Sequence, residues 1–359
     1  MSTKRPFFEA NEAVEVACKK MCDAILSIMS SSNIRNKLIR KLNEISGDAS
    51  QIDDFEALVK LLPHHIHEKL TSEIRNLRLA IGNVKNRPQK PVDVVILTAL
   101  KTPELKEILD LPVKEGKWTI FDFAGEPQEW YHGTFQRRDH DIAVVTASPD
   151  QFGMPAMSVI TTKAIMRWNP KLIILCGIAA GVKGRTNIGD VLAPERIYVH
   201  DSGKVVADWD HDKTKGFLHD RWTVMTDPLL IRDLKDYRDE YTTGIVDKWI
   251  SKKGSQEIAQ REVNLHTGPL ASGNVVVNSK EFVEELKEDE RKLIGLEMEG
   301  YAVLFAIRWT FPDRTRGLVL KSVCDLGHEK GDQHQIFAAW TSARFAYNFL
   351  TKSNAIDWK

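Results

Sequence analysis

Gly295-Leu-Glu-Met-Glu-Gly-Tyr-Ala-Val303, followed some twenty residues on by Gly317-Leu-Val-Leu-Lys-Ser-Val-Cys-Asp-Leu-Gly327, decides how the rest of the chain is read. The second stretch is an apolar run of strand length that ends on an acid, Asp325. An acid at the carboxyl end of a buried parallel strand faces the crevice in which open α/β sheets bind their ligands. In the first stretch Glu297 and Glu299 flank Met298 just ahead of an amphipathic helix carrying Tyr301, Leu304, Phe305 and Ile307. Backbone N–H groups and the helix dipole favour negative charge at such a start. An apolar residue held between two acids is also an odd pattern for a water-facing loop. The two stretches together predict an α/β sheet with an acidic crevice at its strand ends.

Working outward, Leu172–Cys176 predicts a buried strand opening into Gly177-Ile-Ala-Ala-Gly181. A small-residue turn there lets a flat ligand approach the backbone closely. It lacks the three-glycine spacing of a dinucleotide site and the lysine and hydroxyl residue of a phosphate loop, and a tight strand exit explains it equally well. Val92–Leu100 predicts the first strand, with Glu104 just past it in Leu100-Lys-Thr-Pro-Glu104. Further strands are expected at Trp118–Phe123, Ile142–Ala147, Val191–Val199 and Leu270–Val277, and helices from Leu105 to Leu109, over Met154–Trp168 and from Ile336 to Leu350. Strands separated by helices imply a mostly parallel, covered sheet. Residues 205–262 are charged and turn-rich and give no clear element.

The chain before Val92 follows another rule. Val14, Cys18, Met21, Ile25 and Ile28 recur at helical spacing, then Ile34, Leu38, Leu42 and Ile45, then Phe55, Leu58, Val59 and Leu62, then Ile66, Leu70, Ile74, Leu77 and Ile81. No strand-like alternation interrupts them, which predicts a small helical bundle over residues 1–88. The proline-bearing stretch Asn86–Pro91 ends it, with the linker set at 89–91 and an α/β domain over 92–359.

With 359 residues, 42% of them hydrophobic, the chain can bury the core of one large domain and a small one. A formal net charge of zero supplies no global field for nucleic acid or anionic membrane. The longest apolar runs are strand-length, so no spanning helix is expected, and the N-terminus has no secretory core. Four cysteines make no small disulfide framework, and a reduced, cytoplasmic protein is the simplest reading.

Glu104, Glu297, Glu299 and Asp325 all fall where strand ends converge. One acid that stays protonated among others that stay ionised can run acid–base chemistry at neutral pH, provided their surroundings separate them. His64, His65 and His67 lack a downstream partner at ligand spacing, so no metal is expected. Cys324 reads as a packed thiol, and His328, Glu329, Asp332 and His334 as a polar loop beside Asp325.

At this point the residues carry a family. Val94-Val-Ile-Leu-Thr-Ala99, Cys176-Gly-Ile-Ala-Ala-Gly-Val182, Ile188-Gly-Asp-Val191, Ala271-Ser-Gly-Asn-Val-Val-Val-Asn278, Leu296-Glu-Met-Glu-Gly300 and Ser322-Val-Cys-Asp325 resemble, in order, the purine nucleoside phosphorylase/uridine phosphorylase superfamily. The branch of methylthioadenosine/adenosylhomocysteine nucleosidases is the most similar. The resemblance implies a three-layer α/β domain (αβα) around a central mixed, twisted sheet, and cleavage of an N-glycosidic bond without a cofactor. It implies that Asp325 meets purine N7, that Glu299 holds the ribose hydroxyls with Met298 and Glu297 beside it, and that Glu104 orients the attacking water. It further implies that Gly177, Ile178 and Ala179 border base and sugar and that Val276 and Val277 wall the base. Glu104 stands one place later than the family spacing, with Pro103 in the expected slot, and Val276 replaces a stacking aromatic. Phosphorylases of the hexameric branch carry phosphate donors where this chain has Leu175 and Ile178, so water is the expected nucleophile.

The helical front end resembles the layout of bacterial anti-phage effectors, in which such domains destroy cellular nucleotides. The expected ligand is therefore a purine nucleoside or nucleotide, ATP and dATP included, with Lys101, Lys183, Arg185 and Lys204 as candidate phosphate contacts. A homo-oligomer and a sensor protein docking on residues 1–88 are the expected partners. A phosphate-dependent phosphorylase and a silent nucleotide-binding module are the alternatives.

Overall fold

A computed structural model describes residues 5–29, 33–47, 52–60, scattered positions from 62 to 77, and 92–355 except 122, 124, 125, 138, 206–216, 254–261, 311–314 and 328–333. The chain divides into two compact units, Met1–Pro91 with Met166–Trp168, and Val92–Ile165 with Asn169–Lys359.

In the first unit α1 (Arg5–Ile28), α2 (Asn33–Gly47) and α3 (Ile52–Val59) share a core of Met21, Ile25, Leu38, Leu42, Phe55 and Val59. The helical recurrence of apolar residues gives each helix one face to bury. Leu70 and Leu77 of the expected fourth helix are buried with them. Most of the rest of that helix, and the linker at 89–91, lie outside the described residues.

The second unit alternates strands and helices. Its strands are β1 (Val94–Leu97), β2 (Thr119–Phe121), β3 (Trp130–Gln136), β4 (Asp141–Ala147), β5 (Leu172–Gly181), β6 (Val191–Val199), β7 (Gly203–Val205), β8 (Phe217–His219), β9 (Thr223–Met225), β10 (Leu265–Ser272), β11 (Gly295–Glu297) and β12 (Arg316–Asp325). Its helices are α4 (Lys106–Leu109), α5 (Met154–Trp168, of which the last three residues fall in the first unit), α6 (Pro228–Asp236), α7 (Arg238–Thr242), α8 (Ile245–Lys253), α9 (Lys280–Asp289), α10 (Gly300–Thr310) and α11 (Gln335–Lys352). One mixed sheet runs β11–β10–β6–β12–β5–β1–β4–β3–β2, with β9 paired to β6 and β7–β8 forming a separate ribbon. Because β11 also pairs antiparallel with β5, the strands β5, β11, β10, β6 and β12 close into a ring.

That ring explains the main departure from the expected elements. Gly177–Gly181 is not a turn: β5 continues through it, and the chain reverses only after Val182, where Arg185 N–H donates to the Val182 carbonyl at 3.0 Å. The small residues instead let strands crowd together. A Cβ on Gly295 would lie 2.6 Å from the Ala180 carbonyl oxygen, so β11 approaches β5 only without a side chain there. β10 ends at Ser272, short of the expected Val277, which leaves Val275–Val277 as a connecting segment. β3 was not anticipated, since Gly133 breaks its alternation.

β12 runs parallel to β5, with a register shift between Val323 and Asp325. A bulge of this kind re-aims side chains at the end of a strand, and Cys324 and Asp325 both face the same cavity. Among the described residues no helix is long and apolar enough to cross a membrane.

Candidate active site

The carboxyl ends of the ring strands surround a cavity of about 330 Å³. Glu104, Ile178, Ala179, Val276, Val277, Glu297, Met298, Glu299 and Asp325 all line it. Residues from five separate stretches of sequence thus meet in one space the size of a nucleoside pocket.

Glu104 sits in a tight turn over Lys101–Leu105 that follows β1, is closed by Leu105 N–H donating to the Leu100 carbonyl at 3.0 Å, and folds the Glu104 side chain back against the sheet. Its Oε2 accepts from the N–H groups of Ala99 at 2.7 Å and Leu100 at 2.8 Å, and its Oε1 from Ile178 N–H at 2.8 Å. Gly177 does not line the cavity; a Cβ there would lie 2.1 Å from Glu104 Oε1, so its glycine makes room for the carboxylate. Burial raises the Glu104 pKa above the usual carboxylate range, with Glu299 adding to the rise and Lys321 and the backbone donors opposing it.

Glu299 precedes α10 and accepts from Gly153 N–H at 2.9 Å through Oε1. Its Oε2 faces the ammonium of Lys321 at 3.3 Å. Lys321 interrupts the apolar β12 and is 1% exposed. Burial alone would lower its pKa, but Glu299, Glu104 and Glu297 together reverse that and raise it, so it is a fixed cation. Glu297 lines the cavity beside Glu299 and also caps α10: its Oε2 accepts from the N–H groups of Glu299 at 2.9 Å and Gly300 at 2.7 Å. Asp325 closes the opposite end of β12. Gly327 N–H donates to its Oδ1 at 2.7 Å, and the Cys324 thiol lies 3.3 Å from its Oδ2. Gly327 has a φ of +74°, the left-handed conformation that suits a glycine and permits this return contact.

Among the wall residues that the sequence reading did not assign to the site are Lys321, His200 and Cys324. Lys321 could have been found as a charge inside a strand-length apolar run, because lysine is seldom buried unless paired. His200 stands at the carboxyl end of β6, where the same strand-end argument that found Asp325 applies. It is buried against Gly273 and Phe282, and burial lowers its pKa, so its imidazole is neutral. Cys324, read as packed, is buried yet reaches the wall.

The four candidate phosphate contacts do not line the cavity. Lys101 pairs with Asp150 at 2.7 Å in solvent, and Arg185 donates to the carbonyls of Arg291 and Leu293. Lys183 and Lys204 are exposed. Among the described residues Lys321 is the one lysine or arginine on the wall. His328, Glu329 and Asp332 lie outside the described residues, as do His65 and His67. No group of three or more His, Cys, Asp or Glu side chains among the described residues is arranged to hold a metal ion.

The sequence pattern of the phosphorylase superfamily matches residues 93–342, well over half of the chain. The chain belongs to the phosphorylase superfamily. Within it, an uncharacterized protein of Sinorhizobium fredii, y4jS, is 26% identical over 273 residues, covering 73% of this chain and 62% of its own length. A death domain-containing ATP nucleosidase of Amphimedon queenslandica is 24% identical over 278 residues, covering 74% of this chain and 50% of its own length. This superfamily member thus spans between half and two thirds of those two relatives. The 5'-methylthioadenosine/S-adenosylhomocysteine nucleosidase of Neisseria meningitidis, solved with methylthio-immucillin-A, superposes with a TM-score of 0.54 at 19% identity, over 73% of this chain and 99% of that one. That likeness establishes the phosphorylase fold of the second unit.

Proposed function

We propose that the α/β unit hydrolyses the bond between base and ribose in a purine nucleoside or nucleotide. The observation that carries this reading is that Asp325, Glu299 and Glu104 share one cavity of nucleoside size. Breaking C1′–N9 builds positive charge on the ribose and negative charge on the purine, and groups that gain strength as those charges grow lower the barrier. Asp325 gives a proton to purine N7 as the base leaves. Glu299, fixed by Gly153 and Lys321, accepts from the ribose hydroxyls and faces the developing cation. Water held at Glu104 attacks C1′; its oxygen bonds to C1′, the C1′–N9 pair stays with the base, and the water proton passes to Glu104. Lys321 keeps both glutamates oriented.

Water rather than phosphate is supported by the wall itself. Ile178 offers no hydroxyl, its N–H is given to Glu104, and Leu175 is buried in the sheet. The name of one relative, an ATP nucleosidase, supports an adenine compound as the substrate. The helical unit, with a core of its own, suits self-association or docking of a sensor in a nucleotide-depleting defence effector.

The test is incubation with ATP, AMP, adenosine and methylthioadenosine, without and then with phosphate, followed by chromatography for free adenine. Adenine release without phosphate is expected from at least one of them. Release that requires phosphate and yields ribose 1-phosphate moves the reading to a phosphorylase; binding without turnover by any of the four moves it to a silent binding module.

A further inference from the structure

Four ionisable side chains are sealed together at the floor of the cavity, Glu104, Glu297, Glu299 and Lys321, none more than 6% exposed. If all are ionised, three carboxylates face one ammonium, and negative charge is left uncompensated in a low-dielectric site, which is costly. The hydrogen bonds show which carboxylate is least able to carry charge. Both oxygens of Glu104 accept backbone N–H groups. Glu299 has Gly153 N–H on one oxygen and Lys321 on the other. Glu297 has two N–H donors, both on Oε2, while its Oε1 is closed to solvent and has no partner among the described residues. Lys321 stands 3.7 Å from Glu297 Oε2, farther than from Glu299.

We propose that Glu297 is held as the neutral acid and serves as a positioning residue, capping α10 without drawing Lys321 away from Glu299 and Glu104. A proton on Oε1 removes the bare charged oxygen, and Oε2, the carbonyl oxygen of that acid, keeps its two donors. The remaining negative charge of the floor is then concentrated on the two glutamates assigned to sugar and water. Burial opposes the charged form of Glu297, and the Glu299 carboxylate ahead of α10 adds to that; Lys321 from β12, the N–H groups at the start of α10 and the Ser272 hydroxyl from β10 favour it. Ionisation of Glu297 pulls the ammonium toward it and loosens Glu299, so turnover falls on the alkaline side.

This assignment rests on the hydrolase reading for its kinetic part, and the experiment separates the two. Glu297→Gln copies the neutral acid in shape. It should keep turnover within about tenfold of the wild-type rate and lose the part of the alkaline fall that residue 297 contributes. Glu297→Ala, without the cap, should be slower than Glu297→Gln, whereas Glu299→Gln and Glu104→Gln should each lose about a hundredfold or more. Adenine release from whichever of the four adenine compounds is turned over gives these rates. An infrared difference spectrum of the full chain at neutral pH, wild type minus Glu297→Gln, supplies a readout free of activity: a protonated-carboxyl carbonyl band should be present and assigned to residue 297 by its loss. The proposal is overturned if the wild-type-minus-Glu297→Gln difference shows no such band. It is also overturned if Glu297→Gln is as impaired as Glu299→Gln. Full activity in Asp325→Asn and Glu299→Gln would instead remove the hydrolase reading, and the infrared band would still decide the state of Glu297.

Discussion

The two units of this chain bury different things. In the helical unit every buried side chain among the described residues is apolar, from Met21 and Ile25 to Phe55 and Val59. The α/β unit buries Val, Ile and Leu in the same way but also seals Glu104, Glu297, Glu299 and Lys321 at the ends of its ring strands. Burying a large aliphatic side chain stabilises a fold by about 1.5–3 kcal/mol. Burying an ion costs several kcal/mol even after relaxation, which an ion pair only partly offsets. The first core is explained by stability alone; the second is not, and its excess charge lies where a nucleoside would sit.

The largest effect expected from this contrast is on turnover. Asp325→Asn keeps the shape and the Gly327 contact but cannot give the proton that the proposed hydrolysis needs, and Glu299→Ala removes the carboxylate proposed to hold the ribose. Each should slow base release by about 10²–10⁴-fold, the range for a positioned acid–base group. Far-ultraviolet circular dichroism should stay that of the wild type. An unchanged rate in Asp325→Asn would erase the distinction between the cores, leaving the charged one as a structural oddity.

Next is the counter-ion. Lys321→Met keeps the volume of the side chain and strips the buried glutamates of their counter-ion, and removing one partner of a buried charge cluster destabilises by about 3–5 kcal/mol. Urea unfolding checks it, and pH gives the sign. The folded-state pKa values of Glu104 and Glu297 lie above their unfolded values, so their contribution to stability is fully present below the unfolded pKa and is lost as pH rises through the folded one. The Lys321→Met deficit should therefore shrink as pH falls and widen as pH rises. A deficit independent of pH would mean that those glutamates do not feel the lysine.

The same measurement on the other core should lack that signature. Leu38→Ala opens a cavity among the buried residues of α1, α2 and α3, worth about 2–5 kcal/mol to the unit that contains it. With no carboxylate, histidine or amine in that core among the described residues, the loss should be flat between mildly acidic and neutral pH, and adenine release should continue. A pH-dependent loss would point to buried charge in this unit as well.

How much of this was legible in the sequence follows from the kind of signal each residue gives. Met154–Trp168 and Val191–Val199 were read to the residue because periodicity and flanking breaks coincide there. Asp325 was legible because an acid after an apolar run marks a strand end. The Gly177–Gly181 segment misled, since small residues mark close approach of backbones as readily as a turn, and only the pairing of β11 with β5 distinguishes the two. Glu297 and Glu299 look alike in sequence. Their separate tasks depend on which oxygen meets which N–H, a matter of tertiary geometry. Lys321 was visible but passed over, because its meaning depends on three glutamates brought from two other stretches of chain.

The smallest expected effect concerns charge outside the cavity. Lys101 follows β1 closely and has the right sign to hold a substrate phosphate. Yet its side chain is 57% exposed and its ammonium is paired with Asp150, itself 71% exposed. An exposed pair of this kind contributes little to stability and is screened by salt, so Lys101→Ala should leave the melting temperature unchanged. The informative comparison is kinetic. If the wall of the cavity alone recognises substrate, the KM values for ATP and for adenosine should both stay at their wild-type levels. A rise confined to ATP would place a phosphate beside Lys101 and extend the site beyond its buried floor; a rise for both would show that the Lys101–Asp150 pair holds the turn that presents Glu104.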